Sequence, residues 1–145
     1  MSERTLVVTR VYDATPQQIW DVWKNPEHLA KFFGPEDSPV DPDSLVMDFR
    51  VGGEFSLNMV NQHNGDVYPM RAEYIELDEP SKIVFRTSGG ITGTVEFEDL
   101  NLAGKTLVTW TTVAEMDDAL YSGATVGTHS AIDQLGKVLA AAYSA

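Results

Sequence analysis

Three kinds of side chain in this sequence have chemistry beyond packing: histidines, an acidic run, and a set of aromatic and methionine residues. His28, His63 and His129 fall in a helix, beside a hairpin turn, and on the last helix. No two share a spacing such as His-x-x-x-His, so no metal site is expected. His129, next to Thr128, is the weak candidate for a proton donor or ligand contact; its bland reading is a partly exposed helix residue. Glu36, Asp37, Asp41, Asp43 and Asp48 form an acidic run, which reads as solvated loop charge rather than a cation site. Ser88-Gly89-Gly90-Ile91-Thr92-Gly93 is Gly-rich, but it lacks the Lys-Ser/Thr of a phosphate loop and any following helix. It reads as a hairpin turn. There is no Gly-x-Ser-x-Gly elbow and no cysteine, so serine and thiol nucleophiles, disulfides and iron–sulfur chemistry have no support. No catalytic set is complete and no cofactor is expected, which favours a binder over an enzyme.

The aromatic and methionine set is the richer signal. Phe55, Met59, Tyr68, Met70, Tyr74, Phe85, Phe97 and Trp110 sit on strand-like segments. Core packing accounts for most of them. Lining of a cavity is the functional alternative, and Tyr68, Tyr74 and Trp110 suit it because each adds a polar group to an apolar body. Methionines adapt to irregular ligand shapes. The expected cavity set is completed by Leu57 and, on the last helix, by Thr128, His129, Ile132 and Leu135.

The elements that must position these residues follow from local pattern. Thr5–Tyr12 is β-branched and reads as a strand. Thr15 is an N-cap with Pro16 at the first helical position, and Ile19, Trp20 and Trp23 recur at helical spacing. Asn25-Pro26 stops that helix and starts another carrying Leu29, Phe32 and Phe33, ended by Gly34-Pro35. The stretch 36–44 reads as a loop. Glu54–Met59 alternates, with Phe55, Leu57 and Met59 on one face. Asn64-Gly65 is a two-residue hairpin signal, followed by a strand over 66–77. Glu79-Pro80-Ser81-Lys82 turns the chain into 83–87, Gly89-Gly90 turns it again, and Val95 and Phe97 alternate in the next strand. Ala103-Gly104 leads into 106–114, where Val108, Trp110 and Thr112 share a face.

From about Asp118 to Tyr143 the pattern is helical, with Ile132, Leu135, Leu139 and Tyr143 on one stripe. Asp117 and Asp118 suit its N-terminus. Gly123, Gly127 and Gly136 point to a kink or to close packing. The fold class is therefore α+β: a curved antiparallel sheet of about six or seven strands wrapped around a long C-terminal helix, with two short helices after the first strand. A curled sheet gripping a straight helix leaves apolar space between them.

The bulk numbers agree with one domain spanning all 145 residues. Acidic residues number 22 against 10 basic, a formal charge of −12. That disfavours nucleic acid and anionic membrane surfaces as partners. The N-terminus runs into a strand without an apolar signal region, and a cytoplasmic location is expected.

The residues also carry a resemblance. Ala14-Thr15-Pro16 with Ile19-Trp20 and Trp23, Asn25-Pro26-Glu27 with Leu29, and Phe32-Phe33-Gly34-Pro35 resemble the opening of the SRPBCC (START-like, helix-grip) superfamily, in the branch related to the activator of heat-shock-protein-90 ATPase. Asp48-Phe49-Arg50-Val51-Gly52-Gly53-Glu54-Phe55 is similar to its central Arg-x-Gly-Gly signature, in which Arg50 is read as a structural hydrogen-bonding residue. Tyr74–Leu77 with Pro80 and Ile83–Phe85 resembles its paired middle strands. Gly127 with Ile132, Asp133 and Leu135 resembles its end motif, with Thr128 where the family usually has Trp. The resemblance implies the helix-grip fold. It also implies a choice of roles: a small hydrophobic ligand held without catalysis, cyclase, aromatase or dehydratase chemistry in the same cavity, or partnership with a chaperone. Thr128 in place of Trp implies more room, or a more polar wall, beside the last helix.

Overall fold

The computed structural model describes residues 2–102 and 104–143. Its elements are β1 (Ser2–Tyr12), α1 (Pro16–Lys24), α2 (Pro26–Phe32), β2 (Val46–Met47), β3 (Glu54–Val60), β4 (Val67–Asp78), β5 (Lys82–Thr87), β6 (Thr92–Asp99), β7 (Thr106–Met116) and α3 (Asp118–Tyr143). The seven strands form one antiparallel sheet in the order β1-β7-β6-β5-β4-β3-β2. The expected α+β helix-grip class is what the chain adopts. No helix is long and apolar enough to cross a membrane among the described residues.

Capping chemistry explains the first two helices. The Thr15 side chain accepts from Gln18 N while Gln18 Oε1 accepts from Thr15 N, a reciprocal box with Pro16 behind it. Asn25 ends α1 and caps α2 through Glu27 N. α1 buries its aromatic residues against the sheet, where Trp20 meets Phe97 and Trp23 meets Trp110 edge-on at 5.2 Å, and Phe32 of α2 packs on Trp23.

The Arg-x-Gly-Gly segment is a tight turn welded to β4. Gly52 N donates to Tyr74 O, Tyr74 N donates to Gly53 O, and Gly53 N donates to Arg50 O. Gly52 has φ +82°, where a side chain is strained. A Cβ on Gly53 would lie 2.0 Å from Asp48 O, so the turn closes only around glycine. Arg50 is exposed and bonds Asp48 through Nε at 2.8 Å.

Two local expectations are corrected. The turn at Asn64-Gly65 is wider than a two-residue hairpin: the strands last pair at Val60 and Val67, Asn61 N donates to Asp66 O, and only Gly65 has positive φ. The Asn61 and Asn64 side chains supply the turn's acceptors instead. The stretch read wholly as loop contains a 3-10 turn at Pro42–Ser44, and two-residue β2 follows it. Ala103 lies outside the described residues, while Gly104 takes the left-handed conformation expected of that turn.

α3 runs as one continuous helix over Asp118–Tyr143. Asp117 Oδ1 accepts from Leu120 N at its start. Gly136 serves close packing, since a Cβ there would lie 3.3 Å from the Tyr12 ring. α3 packs on β1, α2, α1 and β7, not across the whole concave face. Two ion pairs tie it to β1, Arg4–Asp118 and Arg10–Asp133, each at 2.7 Å. Arg4 also covers the Tyr121 ring. Inward-pointing arginines on an edge strand discourage pairing with another sheet.

Candidate functional site

Directly paired residues share a face, so the register defines the concave wall. Phe55, Leu57 and Met59 of β3 oppose Ala72, Met70 and Tyr68 of β4. Tyr74 opposes Phe85, Phe85 opposes Gly93, and Val95 opposes Trp110. All the strand residues expected to line a cavity do point to one side of the sheet.

They do not all reach open space. β4 pairs with β3 from Glu73 to Val67, but with β5 only from Asp78 to Ala72. The first part of β4, Val67–Arg71, therefore lacks a β5 neighbour, and the β5–β6 hairpin diverges from it after Thr87. Ser88 N closes the last link to Arg71 O at 2.8 Å. A recess of about 460 Å³ opens at this notch. Its floor is Phe33, Phe85, Trp110 and Gly93, its flanks Met59 and Met70 on one side and Thr87, Gly89 and Ile91 on the other. Trp110 is 6% exposed and Met59 and Met70 are half-buried, so the floor is dry and the rim wet. Arg71 and Ser88 stand at the rim.

Of the expected cavity residues, Met59, Met70, Phe85 and Trp110 meet in this recess. The others are corrected. Phe55, Leu57, Ile132 and Leu135 are fully buried core. Phe97 is held between Trp20 and Trp23, with ring centres 6.4 Å from each. Tyr74 stacks on Phe55 at 5.0 Å and meets Phe49 edge-on. Its hydroxyl is buried with no hydrogen-bond partner, and burial pushes its pKa upward. Tyr68 is 47% exposed because its part of β4 runs past the covering elements. Thr128 is half-buried and His129 exposed, and neither lines the recess. The open space thus lies beside Phe33 and the notch rather than beneath α3. Phe33 and Ile91 are contributors that sequence reasoning missed, one read as helix packing and one as a turn residue.

Other recesses have different walls. One of about 490 Å³ lies among Pro35, Glu36, Asp37, His63 and the α3 residues Val126 and Ser130; most of these residues are exposed. Among the described residues, no three histidine, aspartate or glutamate side chains gather as a metal requires.

Comparison with known proteins bears on this arrangement. The family model described as "Activator of Hsp90 ATPase homolog 1-like protein" matches residues 13–140. Among solved structures, a Chromobacterium violaceum protein superposes with a TM-score of 0.82 at 23% identity, covering 93% of this chain and 96% of that one. The AHSA1 protein of Silicibacter pomeroyi gives 0.83 at 19% identity, covering 97% and 100%. A Mycobacterium smegmatis protein gives 0.80 at 26% identity, covering 96% and 92%. No curated protein matches the chain.

Proposed function

The chain belongs to the activator of Hsp90 ATPase homolog 1-like family, and on that footing we propose that it binds a small apolar molecule, without catalysis, in the recess at the β4–β5 notch. The observation that carries this is the recess itself: about 460 Å³ with an aromatic floor and two methionine flanks, reached through a gap in the sheet. That volume falls in the usual range for small-molecule sites, roughly 300–1,000 Å³. Apolar ligand surface buried there contributes roughly 25 cal/mol per Å² before ordering costs. No histidine or carboxylate is among the residues lining the recess. The acid–base role considered for His129 therefore has no support from its position.

Fluorescence titration with the uncharged dye N-phenylnaphthylamine tests the reading. Saturable binding is expected. Met70→Trp fills the recess and weakens that binding by about tenfold or more, or ~1.4 kcal/mol. Thr128→Trp, outside the recess, keeps the wild-type affinity. A protein that binds no dye, or a Met70→Trp variant that binds it as well as wild type, overturns the proposal. The family description also names activation of a chaperone ATPase. A chaperone ATPase rate that rises on adding this protein would favour that role over ligand holding.

A further inference from the structure

Resting on the recess reading above, we propose that the recess selects uncharged ligands: its ligand is an apolar molecule with one neutral oxygen, a hydroxyl or carbonyl, that the Thr112 hydroxyl hydrogen-bonds. The chain has 22 acidic and 10 basic residues, yet its charges stay off the floor of this recess. Arg71 is the one charged residue among those lining it. It alternates with Met70 and Ala72, so its side chain leaves on the opposite face of the sheet. There Nη1 donates to Met70 O at 3.0 Å, Leu57 O at 3.2 Å and Asn58 Oδ1 at 3.3 Å. The charge is thereby held away from Phe85 and Trp110.

An ion drawn onto that floor would exchange water for aromatic carbon with no counter-charge, a loss that its apolar contacts do not restore. A neutral oxygen loses far less, and one hydrogen-bond partner offsets it.

Three hydroxyl groups line the recess, on Thr87, Ser88 and Thr112. Thr87 Oγ1 accepts from Ile91 N at 3.1 Å and so serves its own turn. Ser88 is exposed at the rim, where water competes for it. Thr112 is half-buried, and its hydroxyl has no hydrogen-bond partner among the described residues. It lies two residues from Trp110 on the same face of β7, and the register sets it beside Gly93, which opposes Phe85. Gly93 brings no side chain of its own, and the tip of the Phe85 ring occupies that place. The Thr112 hydroxyl thus stands at the end of the aromatic floor, where the oxygen of a molecule lying on Phe85 and Trp110 meets it.

Benzyl alcohol, benzoate, benzylammonium and toluene share a ring and differ in the group attached to it. Displacement of the bound uncharged dye by each at neutral pH isolates that group. Benzyl alcohol is expected to act at about tenfold lower concentration, or less, than either ion, and at about fivefold lower concentration than toluene. In Thr112→Val the alcohol-to-toluene ratio falls to about one, and Thr112→Ser keeps it. An ion that displaces the dye as well as benzyl alcohol does overturns the selection for neutral ligands; this includes benzylammonium alone, which the net negative charge would attract. An alcohol-to-toluene ratio near one in the wild type, or one that survives in Thr112→Val, overturns the role of Thr112. In each of these cases bound dye leaves the recess reading intact, whereas failure of the dye to bind overturns both.

Discussion

The Tyr12 hydroxyl donates to the main-chain oxygen of Ile132 at 2.6 Å, fastening the end of β1 to the middle of α3. Its ring lies against Gly136, one turn further along. Tyr74 presents the opposite case, a buried hydroxyl that reaches nothing. Removing each hydroxyl should therefore move stability in opposite directions. Tyr12→Phe is expected to cost about 1 kcal/mol, because it leaves a satisfied pair broken. Tyr74→Phe is expected to stabilise by about 1 kcal/mol, because it removes an unpaired polar group from an aromatic cluster. Urea unfolding of the two variants checks this; a Tyr74→Phe variant that is less stable than wild type would refute it.

The same two residues set an alkaline limit. Burial raises both phenols above their ordinary pKa of 10.0. The folded state then holds protons that the unfolded state releases, so stability is intact below about pH 10 and falls as pH rises above it. Unfolding followed by circular dichroism across that range should show the decline. Tyr74→Phe should make it shallower, and an unchanged slope would remove Tyr74 as a cause.

Two adjacent glycines should behave unequally. Gly53→Ala forces a Cβ onto Asp48 O, with backbone on both sides of the clash, and is expected to cost about 3 kcal/mol or more. Gly52→Ala has open space and pays for its left-handed φ, at about 1–2 kcal/mol. Thermal melts that rank them the other way would contradict this account of the turn.

Gly93 is the position where stability and binding separate. A Cβ there would lie 2.5 Å from the tip of the Phe85 ring, which forms part of the recess floor. Gly93→Ala is expected to push that ring into the recess, lower stability by about 1–3 kcal/mol, and weaken dye binding by about tenfold, or ~1.4 kcal/mol. A folded Gly93→Ala variant with unchanged dye affinity would show that Phe85 does not shape the space.

Much of the architecture was legible because single residues report their face directly. Phe55, Leu57 and Met59 alternate, and the register places them on one side, as period two requires. Thr15-Pro16 and Asn25-Pro26 are local chemistry and form the caps they imply. Position along an element is not local. Tyr68 and Tyr74 share a strand and a face, yet one is exposed and the other 1% accessible, because only the latter lies under the covering aromatics. Thr128 lies on a half-buried stretch of α3, but nothing in the sequence told how far the helix lies from the sheet at that point. The notch depends on β4 pairing further with β3 than with β5, a property of three strands at once. Two-residue β2 is too short for any periodicity to announce it.

α3 consequently has the mechanics of a cantilever. Its buried residues are Ala131, Ile132, Leu135, Val138 and Leu139, all in its later half, and none lies between 118 and 130. The later half is clamped in the core, while the earlier half is only partly buried, resting on it through Tyr121 and Ala124 and braced by Arg4 at its far end. Amide hydrogens from 119 to 129 should therefore exchange with solvent well before those from 131 to 139, through partial opening that leaves the core closed.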